Sequence, residues 1–190
     1  MDKKEALEDI TEYLQKKQND FDRVAYLSRE IIRGSGVSIT EIHNGNVADA
    51  VERIIKVEKL VDEIKGYERE FAYYSVQAYQ EYAEAKILYG IKVDGKILPH
   101  TKIDIPKEAY LYGLMDVAGE LKREIIDALT EDDVKAAERY YAFMRRIYDS
   151  TRSMRFAEAV IPGFRRKQDV ARIQLESAGS DILFAKNRRG

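Results

Sequence analysis

Cysteine and tryptophan are absent from this chain, histidine occurs twice and proline three times in 190 residues. Without cysteine there can be no disulfide, zinc–thiolate site, Fe–S cluster or thiol nucleophile. The two histidines, His43 and His100, fall near a predicted turn and in a loop after Pro99. Neither stands three residues after a Glu within a helix, as a di-iron bundle requires, and a catalytic zinc would lack its usual imidazoles. No Gly-x-x-x-x-Gly-Lys loop and no Rossmann fingerprint is present, so nothing signals a nucleotide cofactor. No apolar run approaches the ~18–20 residues of a membrane span, and the charged start MDKKEALEDI does not read as a signal peptide. The expectation is a cytoplasmic protein with no membrane partner.

What is present is a balanced globular mixture, 45% hydrophobic and 35% charged, with a net charge of −2. Residues 1–190 are expected to form a single domain, long enough to bury a core. The charge is unevenly spread. From Arg139 onward, twelve Lys and Arg face five Asp and Glu, so the rest of the chain is acidic. This basic third includes Arg145, Arg146, Arg165, Arg166 and Lys167. It either contacts phosphates or forms solvated helix faces.

Apolar spacing predicts helix almost throughout. Residues 3–33 carry Leu7, Ile10, Leu14, Phe21, Val24, Leu27 and Ile31, with Gly34 and Gly36 ending the segment. After a turn at Asn44–Gly45–Asn46 a second helix follows, interrupted or closed by Gly66; a third runs from about Glu68 to Tyr89. Residues 90–103 alternate apolar and polar around Asp94–Gly95, predicting a hairpin or an extended loop. Pro106 suits the first turn of a helix reaching about Leu129, and Thr130–Asp133 resembles a capping box for the next, which ends near Asp149. Pro162–Gly163 then separates a short helical stretch from a last helix over 165–186. The fold class is all-α, a bundle of six or seven helices.

Four carboxylates carry the functional signal. Glu81 and Glu84 in QEYAEA stand at i, i+3, and Asp116 and Glu120 in YLYGLMDVAGELKR stand at i, i+4, so each pair shares one helix face. Acids on the apolar side of a helix are costly unless neutralised. A hard divalent cation such as Mg²⁺, Mn²⁺ or Ca²⁺ is the simplest neutraliser. Two antiparallel helices would bring the four together as a metal cradle. Gly119 either permits close helix packing or leaves room beside Glu120. Glu124 continues the stripe or pairs with a lysine on the surface.

These motifs, together with RVAYLSREIIR at 23–33, MRRIYD at 144–149 and a last helix ending Arg188–Arg189–Gly190, resemble the translin superfamily in the expected order. The likeness is closest to its TRAX-type subunits, the catalytic type in the ribonuclease complex called C3PO. It implies a translin-like helical fold and a Mg²⁺-dependent endoribonuclease, with Mn²⁺ as an alternative. By the same likeness Glu81, Glu84, Asp116 and Glu120 are metal-binding and catalytic. Glu81, Glu84 and Asp116 are expected as inner ligands, and Glu120 as a ligand, a base held just outside, or both.

Metal-activated water would attack the phosphodiester in line and leave 5′-phosphate and 3′-hydroxyl ends. The resemblance also implies that Arg69, Tyr73, Tyr74 and Gln77 face bound RNA, with tyrosines stacking on unpaired bases or packing between helices. Arg23, Arg29 and Arg33 either touch RNA or form ion pairs between subunits. The implied partners are single-stranded RNA, single-stranded DNA as a second candidate, and further copies of the chain, as a homo-octamer. The alternative reading is a non-catalytic shell that binds single-stranded RNA or DNA.

Overall fold

The computed structural model describes residues 3–188, so the Arg189–Gly190 end of the last motif lies outside the described residues. Six α-helices form: α1 (Lys3–His43), α2 (Val47–Ile64), α3 (Glu68–Asp94), α4 (Lys107–Thr130), α5 (Val134–Thr151) and α6 (Phe164–Asn187). Single 3₁₀ turns precede α3 and α4, at Lys65–Tyr67 and His100–Lys102. No strand forms among the described residues. The all-α expectation therefore holds. Helix α1 packs on α2 and α3, α3 on α4, and α4 on both α5 and α6. Leu121 and Ile125 of α4 are fully buried, and each such side chain contributes about 1.5–3 kcal/mol.

Helix α1 does not stop at Gly34 or Gly36 but runs on to His43. Gly34 is a crossing point: a Cβ there would lie 2.5 Å from Val57 Cγ2 of α2. Buried Ser35, Ser38, Ile39 and Ile42 then keep the next turns packed, which outweighs the cost of about 1 kcal/mol for a helical glycine. The extension has a functional consequence, because it carries His43 to α4.

The expected hairpin at 90–103 is also absent. Helix α3 continues to Asp94 and ends at Gly95, whose φ of 64° is left-handed. The alternation in 96–103 serves a loop packed on the core: Ile103 is buried, Ile97 and Leu98 partly so, and Tyr110 Oη donates to the Leu98 carbonyl at 2.8 Å. Thr130 does not cap α5; its hydroxyl donates back to the Ile126 carbonyl, and Asp133 accepts from the Ala136 amide at 2.9 Å instead. Pro106 sits just outside α4 as its N-cap.

Residues 152–163 form turns rather than the expected short helix. Buried Gln168 of α6 donates to the carbonyls of Thr151 and Met154, and Tyr112 donates to that of Pro162. These bonds hold the segment against the bundle without helical repeats of its own.

Candidate active site

Helices α3 and α4 meet closely beside the acids, at Gly113. A Cβ on Gly113 would lie 2.5 Å from the Gln80 carbonyl oxygen and 2.9 Å from the Glu84 amide nitrogen. Only glycine lets the two backbones meet there. Gly119, in contrast, faces Gln174 of α6, with 3.3 Å from a built Cβ to Nε2. The close contact that the sequence suggested at Gly119 belongs to Gly113, and the signal was a glycine inside an apolar helical run.

All four acids line one cleft of about 580 Å³, with Gly119, Arg166, Lys167, Val170 and Gln174 among the other walls. Glu84 is 7% exposed. Burial, then the charges of Asp116, Glu81 and Glu120, push its carboxyl up to about 9. Burial and the charge of Asp116 also raise Glu81. Among the described residues neither Glu81 nor Glu84 has a hydrogen-bond or ion-pair partner.

The α4 acids are matched by protein cations. Asp116 accepts from Lys167 Nζ at 2.5 and 2.8 Å and from Gln80 Nε2 at 2.7 Å. Glu120 Oε2 lies 2.5 Å from His43 Nε2. His43 Nδ1 lies 2.6 Å from Glu124 Oε1, and Lys92 Nζ lies 2.5 Å from Glu124 Oε2. Burial opposes a charged imidazole here, but the hydrogen bonds it donates to Glu120 and Glu124 overcome it and carry His43 up to about 9. Burial likewise works to raise Glu124, yet His43 and Lys92 hold it below the usual carboxylate range. Glu124 is therefore a buried ion-pair partner rather than a surface one.

Sequence reasoning did not foresee His43, Lys92 or Lys167 at this site. His43 lay beyond the expected end of α1, and no local pattern ties it to α4.

The donor set suits a hard divalent cation: hard oxygen ligands, two of them desolvated and unpartnered. As the side chains stand, no group of three or more His, Asp or Glu among the described residues is gathered so as to hold a metal ion.

A larger apolar groove of about 780 Å³ adjoins the cleft and shares Lys167 with it. Arg69 and Tyr73 line this groove, with Tyr79, Tyr112 and Pro162. Tyr73 is 86% exposed. Tyr74 instead packs edge-on against Phe21, ring centroids 5.1 Å apart, and its carbonyl accepts from Ser28. Gln77 and Arg29 are exposed, and neither lines the cleft or the groove. Arg23 pairs with Glu63 at 2.5 Å, and Arg33 pairs with Glu30 within α1. Of the basic C-terminal residues, Arg166 and Lys167 reach the acid cleft, Arg145 faces Asp149, and Arg146 stacks over Phe143.

An all-α bundle with a carboxylate cleft between its third, fourth and sixth helices defines the class. Residues 4–178 match the sequence profile described as Translin family, and the chain belongs to that family. A protein of Methanocaldococcus jannaschii described as uncharacterized protein MJ0175 is 35% identical over 185 residues, covering 94% of this chain and 82% of that protein. The crystal structure of AfC3PO is similar with a TM-score of 0.90 and 30% identity, over 97% of this chain and 98% of that one. AfC3PO in complex with duplex RNA is similar with a TM-score of 0.88 and 29% identity, over the same shares. Apo-NeC3PO shares the fold at a TM-score of 0.86 and 19% identity, over 94% and 96% of the two chains.

Proposed function

We propose that this chain is a divalent-cation-dependent endoribonuclease of the TRAX type, cutting single-stranded RNA within a shell of its own copies, a homo-octamer. The observation that carries the reading is the pair Glu81 and Glu84, desolvated and unpartnered, on the same cleft as Asp116 and Glu120. Leaving such groups without a partner costs stability, and a site that keeps them has a use for them.

Mg²⁺, or Mn²⁺ in its place, would be held by Glu81 and Glu84 with Asp116 and Glu120 beside them. When bound, such an ion polarises a phosphate and lowers the pKa of its water. The chain's own groups supply the rest. Lys167 and Arg166 on the cleft wall are the cations available to a substrate phosphate. Glu120, beside the ion and with Oε1 unpartnered among the described residues, would be the carboxylate to take a proton from the attacking water. Arg69 and the exposed ring of Tyr73, in the groove next to Lys167, offer a phosphate contact and a stacking face for an unpaired base. AfC3PO is known with duplex RNA, which supports RNA as the polymer. Exposed Ile173, Leu183 and Phe184 on α6 are suited to contact other copies.

A second reading, a binding shell for single-stranded RNA or DNA without cleavage, is favoured by one observation. Lys167 already occupies both oxygens of Asp116. Labelled single-stranded RNA incubated with Mg²⁺, with and without EDTA, separates the two. Cleavage lost with EDTA and in Glu81→Ala/Glu84→Ala, with RNA still retained on a filter, supports the enzyme. RNA retained but uncut by the unmodified protein supports the shell.

A further inference from the structure

We propose that His43 is a positioning residue for the acidic cleft, fixing Glu120 in place from behind α4. The inference rests on the cation-binding reading above. Both ring nitrogens face carboxylate oxygens, Nε2 toward Glu120 and Nδ1 toward Glu124. Carboxylate oxygens only accept, so the ring donates from both sides. The His43 side chain is 2% exposed, so little solvent reaches the ring.

Glu124 is engaged at both oxygens, by His43 and by Lys92, and cannot swing toward the cleft. The chain of contacts joins Lys92 of α3, Glu124 and Glu120 of α4, and His43 at the last residue of α1. Glu120 is thereby held at Oε2, while its Oε1 has no partner among the described residues and remains for the cleft. Partners of this kind, which orient a ligand without touching the metal, typically govern affinity by 10- to 100-fold.

The two ring nitrogens can be tested separately. A glutamine amide reaches about as far as Nε2 and can still donate to Glu120, whereas an asparagine amide reaches about as far as Nδ1 and serves only Glu124. Mn²⁺ affinity of the full-length protein is measured by calorimetry without RNA, with circular dichroism and thermal melts for folding. His43→Asn is expected to weaken Mn²⁺ binding about 10- to 100-fold, and His43→Gln by roughly threefold. RNA retention in EDTA should be unchanged in both.

A purely structural histidine would lower the melting temperature in both variants and leave Mn²⁺ affinity of the folded protein at the wild-type level, which overturns the proposal. Equal losses in the two variants also overturn it. If neither variant folds, Glu124→Gln provides the same comparison, with weaker Mn²⁺ binding expected and unchanged binding fatal. An unmodified protein that binds no Mn²⁺ overturns the cation reading and this inference together; failure in the variants alone overturns only this one.

Discussion

Lys167 of α6 donates both to Oδ1 and to Oδ2 of Asp116 in α4, at 2.5 and 2.8 Å. An ammonium group thus pairs with an acid that the sequence reading expected as an inner metal ligand. Lys167 also lies over the Tyr112 ring, 5.9 Å from its centroid, at the boundary of cleft and groove. Among the described residues it is the one side chain that touches an acid of the site and also lines both cavities.

Removing that ammonium should separate two effects. Lys167→Ala frees Asp116, so Mn²⁺ affinity measured by calorimetry is expected to rise about two- to fivefold, the scale of a half-exposed ion pair. RNA affinity should fall in the same variant, because a phosphate contact is lost. A fall in Mn²⁺ affinity would show that Lys167 does not compete for Asp116.

Glu84→Gln should stabilise the protein in EDTA at neutral pH. The carboxyl is held up to about 9 when folded, against about 4.3 in an unfolded chain, so ionisation favours unfolding in between. An isosteric neutral group removes that penalty, with about 2–3 kcal/mol expected and a melting temperature several degrees higher. Cleavage should be lost at the same time. A lower melting temperature would contradict the burial argument.

Stability without a divalent cation should fall as pH rises from about 5 to 9. Glu84 loses stability over that range because only the unfolded chain ionises freely. His43, raised to about 9, contributes stability that is complete below about 6.5 and is lost as pH passes its folded value. Glu124, held low, acts at the other end and loses its contribution only as pH drops below the ordinary carboxylate range. Thermal melts in EDTA across pH 5–9 check the sum; a flat or rising profile would contradict it.

Two glycines six positions apart should behave oppositely. Gly113→Ala drives a methyl into the Gln80 and Glu84 backbone, and a loss of about 1–3 kcal/mol is expected, with cleavage impaired. Gly119→Ala meets only the flexible end of Gln174 and should be neutral or stabilise by up to about 1 kcal/mol through helix propensity. Urea melts of both variants give the comparison.

Tyr73 and Tyr74 should also part company. Tyr73→Ala is expected to weaken single-stranded RNA binding about tenfold, through a lost stacking face, without changing the melting temperature. Tyr74→Ala removes a ring packed on Phe21 and Phe71 and should lower stability first. Fluorescence anisotropy with labelled RNA, beside thermal melts, reads both effects.

Helical periodicity and the turn residues at 44–46 determined the all-α class and a bundle of six or seven helices, because burial of an apolar stripe is a local pattern, but not the ends of α1 and α3. The spacing within QEYAEA and within the 110–123 segment likewise determined that each acid pair shares a face. Distant partners decided the rest. Gly34 reads as a helix end until Val57 is seen against it, and His43 reads as a turn residue until α1 is seen to reach Glu120 and Glu124. The pairing of Lys167 with Asp116 spans 51 positions, and no local spacing encodes it. Charge compensation depends on distance in space, so only the folded bundle decides which acids are matched and which, Glu81 and Glu84, stand alone.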